Sequence, residues 1–222
     1  MSSHDTKERT AAEGSSEPED KRKHKGPLAF LRELPALLVL SLVLALLIKS
    51  FLIQAFYIPS GSMEPTLVGP GDRVLVNRVV YHFRQPTRGD IIVFSDPNAP
   101  PESNSNVISA FVHWLGNGLG FASTEDFIKR VIGVPGDTLE IRNHQVYING
   151  KPITEPYLTP QARQAMSNYG PVRVEPGHLF VMGDNRGNSD DSRGTLGQIP
   201  IPDVIGRAFV KIWPPSRIGG LE

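Results

Sequence analysis

Phe127-Ile128-Lys129-Arg130-Val131-Ile132-Gly133 runs through Val134 and the turn Pro135-Gly136-Asp137 into Thr138-Leu139-Glu140-Ile141. Two short apolar segments separated by a Pro-Gly-Asp turn predict two β-strands, not one helix. On a strand, side chains alternate, so Phe127, Lys129 and Val131 share one face and Ile128, Arg130 and Ile132 the other. Downstream, Gln145–Ile148 and the Asn149-Gly150 pair that precedes Lys151-Pro152-Ile153 give a hairpin signal. Further out the same pattern recurs at Arg73–Val80, Asp90–Phe94, His178–Met182 and Ile205–Trp213, with turns at Pro70-Gly71-Asp72 and Pro176-Gly177. Past residue 58 no long helical period occurs, and only Gln161–Asn168 suits a short helix. The segments Pro97–Ser105 and Gly116–Gly120 read as loops. A mainly β, antiparallel-sheet domain is the expected class.

Toward the N-terminus the character changes twice. Residues 1–26 contain no Val, Ile, Leu, Phe, Trp or Tyr and end in Lys21-Arg22-Lys23-His24-Lys25. Such a segment buries too little to offset the entropy of ordering, so a disordered tail is expected. From Pro35 to Ile48 the chain is uncharged and apolar, and it continues beyond Lys49 as FLIQAFYI. About 20 apolar residues span a bilayer, so 27–57 is expected to be one transmembrane anchor. The basic cluster before it places the N-terminus in the cytoplasm and residues 58–222 outside. The long preceding tail and the lack of a small-residue cleavage site argue against a removable secretory signal.

Composition excludes several function classes. Lys+Arg 23 balances Asp+Glu 23, which gives no electrostatic footprint for nucleic acid. With no Cys there is neither a thiolate metal site nor a cysteine nucleophile. The acidic run Asp184–Asp191 fails the calcium-loop template at Arg186, so no metal or other cofactor is expected.

Two segments could carry chemistry. Ile58-Pro59-Ser60-Gly61-Ser62-Met63-Glu64-Pro65-Thr66-Leu67 is a rigid turn that exposes hydroxyls, although serines and glycines fill ordinary turns as well. A nucleophilic serine needs a base, and no histidine of the chain sits in a motif that supplies one. The alternative base is a lysine made neutral by desolvation, and Lys129 between Phe127 and Val131 is a candidate. By itself that lysine reads more readily as a snorkelling surface residue paired with a carboxylate. The polar cluster Met182–Arg193 reads as a hydrogen-bonded network beside a site.

Taken in order, four motifs resemble the bacterial type I signal peptidases: Ser60-Gly61-Ser62-Met63-x-Pro65-Thr66-Leu67, Arg88-Gly89-Asp90-Ile91-Ile92-Val93-Phe94, Ile128–Gly133 with Pro135-Gly136-Asp137, and Gly183-Asp184-Asn185-Arg186-x-Asn188-Ser189-x-Asp191-Ser192-Arg193. The resemblance implies a membrane-anchored serine endopeptidase that removes signal peptides from exported preproteins, at the bacterial plasma membrane and as a monomer. It implies Ser62 as nucleophile, Lys129 as general base, and Ser60 Oγ with the Ser62 N–H as oxyanion hole. Ser189 would orient the lysine, with Asp191 and Arg193 holding its loop. Ile58, Pro59, Met63, Leu67, Phe127 and Ile128 would line subsites for small residues at the first and third positions before the cut. A smaller cap region would occupy about 139–177. After Ser192-Arg193 the family places an aromatic residue before a glycine; here Gly194-Thr195-Leu196-Gly197 departs from that pattern. Other Ser/Lys peptidases, such as self-cleaving repressor-like domains, and a non-catalytic anchored β-domain are the competing readings. The anchor and neutral charge speak against the first, and the presence of both Ser62 and Lys129 against the second.

Overall fold

The computed structural model describes residues 34–44, 52–98 and 126–221. The chain divides into two units at Leu42–Val43. Residues 34–44 are helical with their side chains exposed. Among the described residues no helix is long and apolar enough to cross a membrane. The tail expected over 1–26, and most of the anchor expected over 27–57, lie outside the described residues.

The anchor's expected last residues do not continue a helix. Ile53–Tyr57 is strand β1, paired antiparallel with β2 (Arg73–Asn77) from Ile53↔Asn77 to Tyr57↔Arg73. Its Phe56 is buried while Tyr57 is exposed, the alternation of a strand at a sheet surface. β2 ends three residues short of the expected Val80 because Asn77 Oδ1 accepts from the Val79 and Val80 N–H groups at 3.0 Å. That capping starts the short helix Val80–Phe83.

Around this pair an antiparallel sheet assembles in the order β1-β2-β11-β3-β4-β9-β10. Here β3 is Ile91–Ser95, β4 Asp126–Gly133, β9 His178–Met182, β10 Ile199–Pro200 and β11 Val204–Trp213. β12, Gly219–Gly220, adds to β11. Within β3, Ile91 and Val93 join one apolar cluster while Ile92 and Phe94 join another, so this central strand is buried on both faces.

A second antiparallel sheet, β7-β6-β5-β8, lies between β4 and β9 in the chain. It comprises β5 (Thr138–Arg142), β6 (Gln145–Ile148), β7 (Lys151–Pro152) and β8 (Tyr169–Arg173). The hairpin turn between β6 and β7 has Asn149 at φ 52° and Gly150 at φ 78°, the left-handed pair that a two-residue loop with the strands' own twist requires. The short helix is Pro160–Gln164, capped by Thr159 Oγ1 accepting from Ala162 N–H at 3.1 Å. It stops before Asn168 because Tyr169 enters β8. Leu139, Ile141, Val146 and Ile148 of this sheet pack with Ile132, Phe180 and Met182 of the first. The two sheets therefore share one core.

Candidate active site

β1 leads directly into the serine turn. Ile58 N–H donates to the Asp72 carbonyl at 2.9 Å and Val68 N–H to Asp72 Oδ2 at 2.8 Å, closing residues 58–72 into a loop. Within it, Glu64 N–H donates to Gly61 O and Leu67 N–H to Met63 O. Met63 and Leu67 turn fully inward, joining Phe56, Val74 and Val76 in the core. Both are 0% exposed and lie beneath the loop. Ile58 and Ile128 are also buried, at 2% and 6%, whereas Pro59 and Ser60 are exposed and Phe127 is half-buried.

This loop meets β4 at one atom pair. Lys129 Nζ lies 2.9 Å from Ser62 Oγ and donates also to the Ile128 carbonyl at 3.1 Å. Ser60 Oγ is 3.3 Å from Ser62 Oγ. Lys129 is 3% exposed and Ser62 8%, and the Phe127 ring sits 5.6 Å from the amine. Burial pushes the lysine down to about 8, against the smaller opposing pull of Asp191 and Asp190. A lysine pressed on a serine hydroxyl, with a neutral fraction of about one in five near pH 7.4 against about one in a thousand for a free lysine, can take the hydroxyl proton.

The Met182–Arg193 segment surrounds the pair. Asp191 is fully buried; it accepts from Arg193 Nε at 2.9 Å, from Arg193 Nη2 at 2.8 Å and from Gly183 N–H at 3.1 Å. Burial alone would raise its pKa, and these bonds outweigh burial and hold it below the ordinary carboxylate value. Ser189 differs from expectation. Its Oγ sits 3.5 Å from the Asp190 carbonyl, and among the described residues it makes no hydrogen bond to Lys129. The Gly194–Gly197 departure folds as a turn in which Thr195 N–H donates to Asp190 Oδ1 at 3.0 Å. Its Leu196 is buried beside Val131, Val181 and Leu179, so this loop still supplies an apolar anchor.

Several contacts of the site have no signal in the sequence, although Thr66, Arg130, Asp184, Asn185 and Arg186 themselves lie in the motifs. Asp184 accepts from Arg130 Nε and Nη2, both at 2.9 Å, and from Thr66 Oγ1 at 2.6 Å. Arg130 stacks on the Tyr157 ring at 3.8 Å. Arg186 forms a two-point pair with Glu155, which also accepts from Tyr157 O–H at 2.9 Å. Asn185 donates twice into the serine turn, from its N–H to Ser62 O and from Nδ2 to Gly61 O, each at 3.0 Å. Except for Tyr157 with Glu155, each contact joins residues far apart in the chain, where no periodicity links them.

Of the described histidines, two are engaged elsewhere: His144 Nδ1 bonds the Met166 carbonyl and His178 Nδ1 the Pro176 carbonyl. Among the described residues no cluster of His, Asp and Glu could hold a metal ion.

Comparison with known proteins places this geometry in context. Residues 31–213 match the family model described as signal peptidase, peptidase S26. A signal peptidase I from Mycobacterium tuberculosis is 38% identical over 219 residues, covering 85% of this chain and 74% of the relative. A probable signal peptidase I-1 from Synechocystis sp. is 44% identical over 195 residues, 88% of this chain and 89% of the relative. The signal peptidase I of Leptolyngbya laminosa is 43% identical over 184 residues, 82% and 79%.

Proposed function

Because the chain belongs to the signal peptidase family, a family of serine endopeptidases, we propose that Ser62 and Lys129 form its catalytic pair and that it removes N-terminal signal peptides from exported preproteins. The observation that carries this reading is the 2.9 Å contact between a buried lysine amine and a buried serine hydroxyl.

The steps follow from that contact. Neutral Lys129 accepts the Ser62 proton as Oγ attacks the scissile carbonyl carbon, and the carbonyl oxygen becomes the oxyanion. Ser60 Oγ and the Ser62 N–H donate to that oxygen; one such donor is worth roughly 10²–10³ in rate. The Lys129 ammonium then protonates the leaving amine, and an acyl group remains on Ser62. Water, deprotonated by the same amine, attacks the acyl carbon, and the proton returns to Ser62 Oγ.

The substrate pairs as an extended strand. β9 covers β4 only from Arg130 to Gly133, so on that side Phe127–Lys129 pairs with no described strand. β1 is the outer strand of its sheet and runs into Ile58. A substrate strand between these edges brings its carbonyl to Ser62. Ile58, Ile128 and Phe127 bound the subsites, with Met63 and Leu67 filling the space below. Little depth remains, which suits small side chains at the first and third positions before the cut.

In this reading an apolar segment ahead of Leu52 anchors the enzyme, with the basic cluster 21–25 on the cytoplasmic side. Since Ile53–Tyr57 is a strand, it sets the catalytic turn about 15 Å beyond the end of the anchor. The test is incubation of the full chain and its Ser62→Ala variant with a preprotein, reading the new N-terminus by mass. Wild type should cut once after a small residue and the variant not at all; cleavage by the variant would refute the assignment.

A further inference from the structure

Ser62 and Lys129 are 67 residues apart, and a reaction that depends on their contact needs something to fix the distance. The elements bearing them share no ladder in the described sheets, since β1 and β4 are separated by β2, β11 and β3. Resting on the Ser/Lys reading above, we infer that Asn185 is the positioning residue that holds the Ser62 turn in register with Lys129.

Two consecutive residues join the two sides. Asp184 is fixed on the base strand by accepting two hydrogen bonds from Arg130, the residue after Lys129. Asn185 then reaches the nucleophile turn with two donors: its N–H to the Ser62 carbonyl and its Nδ2 to the Gly61 carbonyl. Arg130, Asp184 and Asn185 thus connect the strand of the base to the backbone of the nucleophile in three residues. The buried end of this tie is unable to drift, because Arg130 and Asp184 are 1% and 0% exposed.

The neighbourhood is fitted to this connection. A Cβ on Gly183 would fall 2.4 Å from the Ser62 carbonyl oxygen, so Gly183 lets the tie approach. A Cβ on Gly69 would fall 2.1 Å from the Ser60 carbonyl oxygen, so the turn is backed on its other side by its own loop. The chemistry of position 185 is equally restrictive. Its side chain must donate to a carbonyl one residue before the one its own backbone N–H reaches. An aspartate of the same shape presents an oxygen to the Gly61 carbonyl and repels it; alanine leaves that carbonyl unheld.

A displacement of about 1 Å between reacting groups costs roughly 10² in rate. In the full chain in detergent micelles, with a preprotein-derived peptide as substrate, Asn185→Ala and Asn185→Asp should each lower kcat by about 10- to 100-fold. KM should stay within about twofold, and in Asn185→Ala the rising limb of kcat/KM should remain near pH 8, because the burial that sets Lys129 is untouched. Asn185→Asp keeps the volume, so its kcat decides the matter if the alanine variant melts early; its added carboxylate draws the limb upward, as Asp191 and Asp190 already do. The inference is overturned if either folded variant turns over within threefold of wild type, if the loss lies in KM, if the limb of Asn185→Ala moves, or if both variants lose their cooperative melt. Ser62→Ala run alongside separates the two claims: activity in that variant refutes the Ser/Lys reading, whereas an inactive Ser62→Ala beside a fully active Asn185→Ala refutes only the tie.

Discussion

Lys129 is expensive to keep. A folded value of about 8 against 10.5 for a free lysine means that below pH 8 the unfolded chain binds a proton more readily than the folded one. The native state then forfeits on the order of 3 kcal/mol. The deficit shrinks as pH rises from about 8 and is gone above about 10.5. Lys129→Met should therefore abolish cleavage yet raise Tm at pH 7, with the gain fading toward pH 10.5. A variant that melts lower at pH 7, or a gain that ignores pH, would contradict the burial argument. At this scale a Gly between serines and a lysine with apolar neighbours marked Ser62 and Lys129 as candidates only, and the roles proposed for them come from the resemblance of the four ordered motifs. The sequence did not show that Met63 and Leu67 point inward, since the hydrophobic pattern of a short loop does not tell which of its faces is covered. Nor did it show the contacts of Thr66, Glu155, Tyr157 or Asn185, whose roles exist only through partners distant in the chain.

Elements were legible wherever period-two alternation was bounded by turn residues, which covers β2 to β6, β9 and β11. β1 was hidden because Leu52, Ile53, Ala55 and Phe56 extend an apolar run that began in the expected anchor. β8 was hidden by Gly170-Pro171 in its middle, β10 and β12 are too short to have a period, and β7, equally short, was legible through the Asn149-Gly150 turn. What locks β4 to the Met182–Arg193 segment is the Arg130–Asp184 pair. Removing one partner of a buried pair leaves the other unpaired, at a cost of about 3–5 kcal/mol. Arg130→Met should accordingly lower unfolding stability in urea by that order, and pairing it with Asp184→Leu should restore much of the loss. If the single variant is as stable as wild type, the pair does not hold the strand.

For the whole molecule, the start of the first sheet decides which fragment stands alone. The described contacts of the catalytic region begin at Leu52, whose carbonyl accepts from Arg78 N–H at 3.2 Å. A chain starting at Leu52 should fold and cleave in detergent, while one starting at Phe56 loses the Ile53↔Asn77, Gln54↔Val76 and Ala55↔Leu75 pairs and should melt several degrees lower. Equal melting of the two would show that β1 contributes nothing to the sheet. The expected membrane segment rests on composition alone, and its last expected residues, Ile53–Tyr57, are a strand because strands and spans draw on the same apolar residues.

The account rests on a neutral lysine acting as base, and the pH dependence of kcat/KM tests that directly. The full chain should show a rising limb with its midpoint near pH 8, where burial has brought Lys129. The same limb should persist in a variant with His82, His113, His144 and His178 all changed to Gln. A limb near pH 6.5, the ordinary histidine value, or its loss in the histidine-free variant, would contradict the mechanism.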